Sequence, residues 1–422
     1  MEEVAQLLLQ EENENPMESL MFVDAIQRVG VDHHFEEEIE MILGRQYNCW
    51  GKSVCFHGLH DVSLFFRLLR QQGYYVSADV FNNFKGKDGK FLEDVKQDVR
   101  GLMALYEAAQ LGFNGETIID EAQELSRLHL SGYLHQNHEN LCCQREAITN
   151  TLTHPQHKTI PRLTAKAFLH GDLLKSSKQW QKPLRELANM DFLIGKSTHQ
   201  HELLQISKWW KDIGLAEEVP NARNQPIKWY TGSMTILINH PTLCSPRIEL
   251  TKVIAFIHLL DDIFDLYGTI HQLTLFTHAI DRWDHSAIDM LPSYMRMSYK
   301  ALLDTTNHIA NNIQNLHGHN PIEYMKAADE HQDGQDGSYI DYYMKDEPKL
   351  SVEEARQHVL EMITNEWKNV NEECFRLKHY SSATCFKRAS LNLARMVALT
   401  YGYDQNQRLL LLEEYVKTTL FN

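Results

Sequence analysis

The 422-residue chain has only seven cysteines, Cys49, Cys55, Cys142, Cys143, Cys244, Cys374 and Cys385. None forms a CxxC pair, so neither a zinc knuckle nor a disulfide framework is indicated. An odd, scattered set fits a reducing compartment. No run of about 18 apolar residues occurs, which excludes a membrane-spanning helix. Basic residues are outnumbered, 41 against 57 acidic ones, and the net charge of −16 argues against nucleic acid or anionic membrane surfaces as partners. The opening Met1-Glu2-Glu3-Val4 has neither the apolar core of a signal peptide nor the Arg/Ser richness of a transit sequence, so a cytoplasmic location is expected. Fixed-period repeats and low-complexity segments are also missing, which argues against a repeat scaffold.

What remains is helical periodicity. Phe35-Ile39-Ile42-Leu43, Leu64-Leu68-Leu69 and Val95-Val99-Leu102-Leu105 recur at steps of three or four, as one helix face requires. Alternating strand patterns are scarce. Gly86, Gly89 and Pro161 fall between helical runs, where breakers belong. An all-α fold is expected, and 43% hydrophobic content is ample for large cores. The polar stretch Thr151-Leu152-Thr153-His154-Pro155-Gln156-His157-Lys158 gives one boundary hint.

Leu259-Leu260-Asp261-Asp262-Ile263-Phe264-Asp265-Leu266-Tyr267-Gly268 is the most informative segment. Asp261 and Asp265 stand at i and i+4, so they share a helix face. The flank Val253-Ile254-Ala255-Phe256-Ile257-His258-Leu259-Leu260 is apolar, and unpaired carboxylates are costly to bury in such a helix. A divalent cation offsets that cost. Hard oxygen ligands suit Mg²⁺, which also binds substrate phosphates. A solvated helix end is the simpler alternative, but it would not be framed by this apolar run.

In order along the chain come Asp24-Ala25-Ile26-Gln27-Arg28, Asp98-Val99-Arg100-Gly101-Leu102, Tyr106-Glu107-Ala108-Ala109, Ser207-Lys208-Trp209-Trp210-Lys211-Asp212-Ile213-Gly214-Leu215, Asn221-Ala222-Arg223-Asn224-Gln225-Pro226-Ile227-Lys228-Trp229-Tyr230, Thr251-Lys252-Val253-Ile254-Ala255, the aspartate motif and Leu412-Glu413-Glu414-Tyr415. Together they resemble a plant class I terpene synthase over nearly the whole chain. The resemblance is closest to synthases of the acyclic tertiary alcohols linalool and nerolidol. It implies two α-helical domains: an N-terminal relic α-barrel over residues 1–157, without chemistry, and a class I catalytic bundle over 158–422. It also implies a Mg²⁺ cofactor, with Mn²⁺ as a substitute, and a geranyl or farnesyl diphosphate substrate. A monomer or homodimer is expected.

The resemblance assigns Asp261 and Asp265 as metal ligands, with Asp262 supporting them. Arg223 matches the first arginine of the family's Arg-x-Arg diphosphate clamp, and a guanidinium fork fits phosphate geometry. Taken alone, Arg223 would be read as part of a surface salt bridge. The second arginine position is Gln225 here, a departure shared with the acyclic-alcohol synthases. A carbocation pocket needs aromatic faces. Trp229, Tyr230, Phe264, Tyr267 and Tyr401 are candidates, with Trp229 and Tyr401 foremost, although core packing is the simpler role for any one aromatic.

The family's second metal motif, (Asn/Asp)-Asp-x-x-(Ser/Thr)-x-x-x-Glu, is missing. The chain runs from Pro321-Ile322-Glu323-Tyr324 almost directly into Ala328-Asp329-Glu330-His331, shortened near 325–328. Of the motif only Glu330 remains, matching its terminal glutamate. Against family length, on the order of 80 residues are absent, equivalent to several helices at ~1.5 Å rise per residue. Two functions are therefore expected as alternatives: a working Mg²⁺-dependent synthase, or an impaired or inactive isoform lacking the third-metal site.

Overall fold

The computed structural model describes all residues except 50–57, 136–141, 171–177, 238–239, 284–288, 319–320, 322–342, 346–350, 378–383, 403–407 and 422. Helices dominate, and among the described residues the single β contact is an isolated bridge between Lys85 and Phe91. The chain divides into two compact units, one of Met1–Ile194 with Tyr343–Tyr415, the other of Gly195–Tyr342 with Val416–Asn422.

The first unit begins with α1 (Glu2–Glu14), α2 (Pro16–Arg28), α3 (Glu36–Cys49) and α4 (Leu59–Gln71). It continues through α5 (Glu93–Gln97), α6 (Val99–Ala109), α7 (Thr117–His135), α8 (Cys142–Thr153) and α9 (Ala165–His170). Local chemistry sets the helix starts. The Asn15 side chain caps α2, with Pro16 at its first position, and Asp98 caps α6 through the Gly101 amide. The expected faces are inside: Phe35, Ile39, Ile42, Leu43, Leu64, Leu68, Leu69, Val95, Leu102 and Leu105 are all buried, while Val99 is half-buried. Helix α4 is so enclosed that two arginines are buried with it. Arg70 donates to both oxygens of Glu116 at 2.6 and 2.7 Å and lies over the Phe66 and Phe113 rings, so its charge is paired and stacked.

The second unit carries most of α10 (Gln181–Ile213), followed by α11 (Leu215–Glu218), α12 (Pro226–Ile236) and α13 (Cys244–Asp262). A π-helical turn, Ile263–Tyr267, leads from α13 toward α14 (Ile270–Arg282) and α15 (Ser293–His317). Trp210, Trp229, Phe256, Phe276, Met295 and Tyr299 form its core. Beyond it, α16 (Val352–Arg376), α17 (Thr384–Tyr401) and α18 (Leu410–Val416), as far as Tyr415, belong to the first unit. A capping box of Ser351 and Glu354 starts α16.

Residues on both sides of position 157 thus pack within the first unit. The polar stretch read as a boundary is partly interior, because His157 is buried and its Nε2 lies 2.8 Å from Asn371 Oδ1. The Asn371 amide donates to the Gln110 and Gly112 carbonyls, so its oxygen accepts and the imidazole donates. Burial pushes the His157 pKa down to about 3. A group depressed in the fold stabilises it fully above its ordinary value near 6.5 and loses that contribution as pH falls toward 3. His157→Gln, which keeps a donor, is therefore expected to flatten the acid limb of stability by up to about 1.4 kcal/mol per pH unit. Denaturant midpoints measured from pH 7 down to pH 4 check this, and an unchanged slope would contradict it.

Candidate functional site

Helix α13 has two faces. Thr251, Ala255, Phe256, Leu259 and Asp262 are buried, whereas Val253, Ile257 and Asp261 are exposed. The spacing 253, 257, 261 draws one exposed stripe along the helix, apolar first and acidic at its end. At that end the backbone widens, and the Gly268 amide bonds back to the Ile263 carbonyl with i→i+5 spacing. Such π turns are rare and recur at functional sites. Phe264 and Asp265 are exposed on this turn, one turn beyond Asp261.

Arg223 organises the carboxylates. Its backbone amide donates to Asp262 Oδ2 at 2.6 Å and its Nε to Asp262 Oδ1 at 2.8 Å. Its Nη2 donates to Asp261 Oδ2 at 2.8 Å and to the His258 carbonyl at 3.2 Å. The hydrogen bond to Asp261, with the charge of Asp262, raises the Arg223 pKa and keeps it cationic. Asp262 is buried, with each carboxylate oxygen accepting one hydrogen bond from Arg223. The Asp261 side chain keeps 62% of its surface open, and Asp265 is exposed and bonds to none of the described residues. The preceding loop is anchored as well, because the Asn221 amide donates to the Tyr267 hydroxyl at 2.5 Å.

Toward the N-terminal end of α13 lies a buried polar brace that sequence reasoning missed. Arg247 donates from Nε and Nη2 to the two oxygens of Glu202, at 2.9 and 2.7 Å. Both side chains are shut from solvent, with exposures of 0% and 2%. The Tyr230 hydroxyl donates to Glu202 at 2.7 Å and lies 2.6 Å from His199 Nδ1. Burial disfavours the Glu202 charge, yet the Arg247 hydrogen bonds hold its carboxyl below the usual range. Burial and the adjacent carboxylate push the Tyr230 phenol far up. A sequence signal existed: His199, Glu202, Ile206 and Trp210 share one buried face of α10, so a histidine and a carboxylate sit on the stripe that carries Ile206 and Trp210.

Of the expected site residues, Arg223, Asp261, Asp262 and Asp265 are therefore assembled around the end of α13. Trp229, expected to line a cation pocket, is instead packed in the core, 1% exposed, with its ring edge-on to Trp210 at 4.8 Å. Tyr230 belongs to the brace. Tyr401 lies in the first unit at the end of α17 and is 74% exposed. Glu330 lies outside the described residues. Gln225 is exposed immediately before Pro226 starts α12.

The donors at the end of α13 are carboxylate oxygens on one exposed face, which suits Mg²⁺ completed by water and substrate phosphate. Among the described residues, the triple of metal-capable side chains within 4.8 Å is a different one, His33, His34 and Asp191.

Family models for the terpene synthase N-terminal domain and the terpene synthase family metal binding domain match residues 1–152 and 211–330. Tricyclene synthase 0e23 of Antirrhinum majus is 43% identical over 499 positions, covering 98% of this chain and 85% of that protein. With 422 residues here, at least 77 of those 499 positions have no residue of this chain. The S-(+)-linalool synthase of Arabidopsis thaliana is 35% identical, covering 96% of this chain and 84% of its own length. An (E)-nerolidol synthase of Cannabis sativa is also 35% identical, with 96% and 88% covered. The tricyclene and linalool synthases are named chloroplastic, a location other than the cytoplasmic one expected. A limonene synthase structure with 2-fluorolinalyl diphosphate superposes with TM-score 0.88 at 25% identity, covering 100% of this chain and 93% of the other. Isoprene synthase from grey poplar, Populus x canescens, solved with three Mg²⁺ ions and dimethylallyl-S-thiolodiphosphate, gives TM-score 0.85 at 25% identity, covering 100% and 96%.

The Arg223–Asp261 ion pair occupies an oxygen that a cation would take. Arg223→Gln is expected to tighten Mn²⁺ binding by a factor of roughly 1.4 to 5, since a pair this exposed is worth about 0.2–1 kcal/mol. Titration followed by electron paramagnetic resonance measures it. Equal affinity in the two proteins would show that the guanidinium does not compete for Asp261.

Proposed function

The chain belongs to the terpene synthase family, and on that premise we propose that it ionises geranyl or farnesyl diphosphate and lets water capture the cation as an acyclic tertiary alcohol, linalool or nerolidol. The observation that carries the reading is the end of α13, where an exposed apolar stripe runs into Asp261 and Asp265 with Arg223 alongside. Asp261 and Asp265 hold the divalent cations. Mg²⁺, when bound, would supply positive charge that offsets the diphosphate leaving group, which keeps the electron pair of the broken C–O bond. Val253, Ile257 and Phe264 offer apolar surface to the prenyl chain. Arg223 exchanges Asp261 for diphosphate oxygens while its Nε stays on Asp262. Water adds at the tertiary carbon and gives up a proton.

Gln225 in place of a second clamp arginine leaves the diphosphate more weakly held, which disfavours its return and ring closure. This links the chain to its linalool and nerolidol synthase relatives rather than to the tricyclene synthases, to which it is more similar in sequence. The 157/158 domain join is part of the same reading, supported by the N-terminal match ending at residue 152. Glu330 and Tyr401 enter it as a residual metal ligand and a pocket tyrosine through the family resemblance. Trp229, given its burial, supports the Arg223 segment from below.

One observation favours a second reading, catalytic impairment. The positions missing from this chain relative to tricyclene synthase are enough to include helices that wall a pocket. Removing such helices exposes apolar faces at roughly 25 cal/mol per Å², against a native stability of only about 5–15 kcal/mol.

Gas chromatography of products after incubation with Mg²⁺ and each diphosphate separates the readings. Linalool or nerolidol is expected, and Asp261→Ala is expected to remove it while helicity persists. A soluble, helical protein without product would establish impairment. Retained turnover in Asp261→Ala would instead remove the metal assignment. Gln225→Arg is expected to tighten inorganic diphosphate binding in the presence of Mg²⁺, and unchanged affinity would count against the clamp.

A further inference from the structure

We propose that His33, His34 and Asp191 form a second metal site, one that takes a divalent transition ion of the zinc class and staples the Asp32–His34 turn to α10. Three ligand atoms converge there. Asp191 Oδ1 lies 2.8 Å from His34 Nε2 and 3.5 Å from His33 Nε2. All three ligand atoms fall within 4.8 Å of one another. Ligands around a tetrahedral ion with 2.0–2.1 Å bonds stand about 3.3 Å apart, between the two distances observed. Both Asp191 separations are thus within about half an ångström of the ideal one, and a fourth position is left for water. Two imidazoles and one carboxylate select Zn²⁺, Co²⁺ or Ni²⁺ over Mg²⁺, which prefers oxygen.

The carboxylate is held for this role. Its other oxygen, Oδ2, accepts a hydrogen bond from Arg162, whose Nη2 also reaches the Gly30 carbonyl. Arg162 takes a left-handed backbone, φ 73°, which residues with side chains rarely adopt. Gly30 is the matching constraint. It has φ +72°, and a Cβ there would come within 2.7 Å of Arg162 Cγ. Backbone strain and a bare glycine therefore aim one guanidinium at Oδ2 and leave Oδ1 facing the imidazoles. A hydrogen-bonded outer partner that fixes a metal-binding carboxylate is a recurrent feature of metal sites. The His34 proton now shared with Oδ1 is the one the ion would displace.

Co²⁺ titration of the full chain in excess Mg²⁺ tests this, with Mg²⁺ saturating the oxygen donors of the aspartate motif. One equivalent of Co²⁺ is expected to give the strong visible absorption of a low-coordinate, nitrogen-ligated ion. Zn²⁺ is expected to displace it and to raise the unfolding temperature. His33→Phe keeps a ring and His34→Gln keeps a donor to Asp191, and each is expected to weaken Zn²⁺ binding at least tenfold without lowering metal-free stability. The weak spectrum of hydrated Co²⁺ in the wild-type protein would overturn the proposal, whatever the variants do. Strong absorption that persists unchanged in both variants would overturn it too, by assigning the signal to other histidines.

Discussion

One guanidinium between two carboxylates sets the chemistry of the second unit. Arg223 reaches a buried aspartate, Asp262, with both its backbone amide and Nε, and an exposed one, Asp261, with Nη2. The asymmetry matters. An ion pair at an open oxygen is weak and exchangeable, whereas breaking one at a buried oxygen leaves an uncompensated charge. The Asp262 contact therefore positions Arg223, and the Asp261 contact is the one that can be given up. A cation taking Asp261 and an anion taking Arg223 would satisfy both groups at once. The arrangement is thus suited to a metal–diphosphate pair, each half of which makes room for the other.

The Glu202–Arg247 pair ties α10 to the N-terminal end of α13. Both groups are shut from water and doubly hydrogen-bonded; the Tyr230 hydroxyl also donates to Glu202, and Arg247 also reaches the His240 carbonyl. The Thr251 hydroxyl donates to Ser233 at 2.9 Å and joins α12 to α13. A half-satisfied network of this kind would be worse than an apolar core, but a satisfied one specifies a unique packing. It fixes which face of α13 turns outward, and so which residues precede Asp261 on the exposed stripe.

The helices and their inner faces were legible in the sequence, because a 3.6-residue period has a direct signature in apolar spacing. Asp261 and Asp265 were legible for the same reason. The π turn was not, since Ile263–Tyr267 carries no residue that dictates an i→i+5 bond. The burial of Trp229 and Tyr230 was also hidden, because an aromatic looks the same in sequence whether it faces a pocket or a core. Glu202 and Arg247 stand 45 positions apart, and His157 and Asn371 stand 214 apart. Pairings at such separations leave no periodic trace. The adjacent His33-His34 was visible, but nothing in the sequence connects it to an aspartate on α10.

In the proposed reading, the carboxylates and arginine at the end of α13 still separate a prenyl cation from its diphosphate. ³¹P NMR of farnesyl diphosphate incubated with the protein, with and without Mg²⁺, tests this. Inorganic diphosphate is expected to accumulate with protein and Mg²⁺ together, and not with either alone. Intact substrate in the presence of folded protein and Mg²⁺ would contradict it.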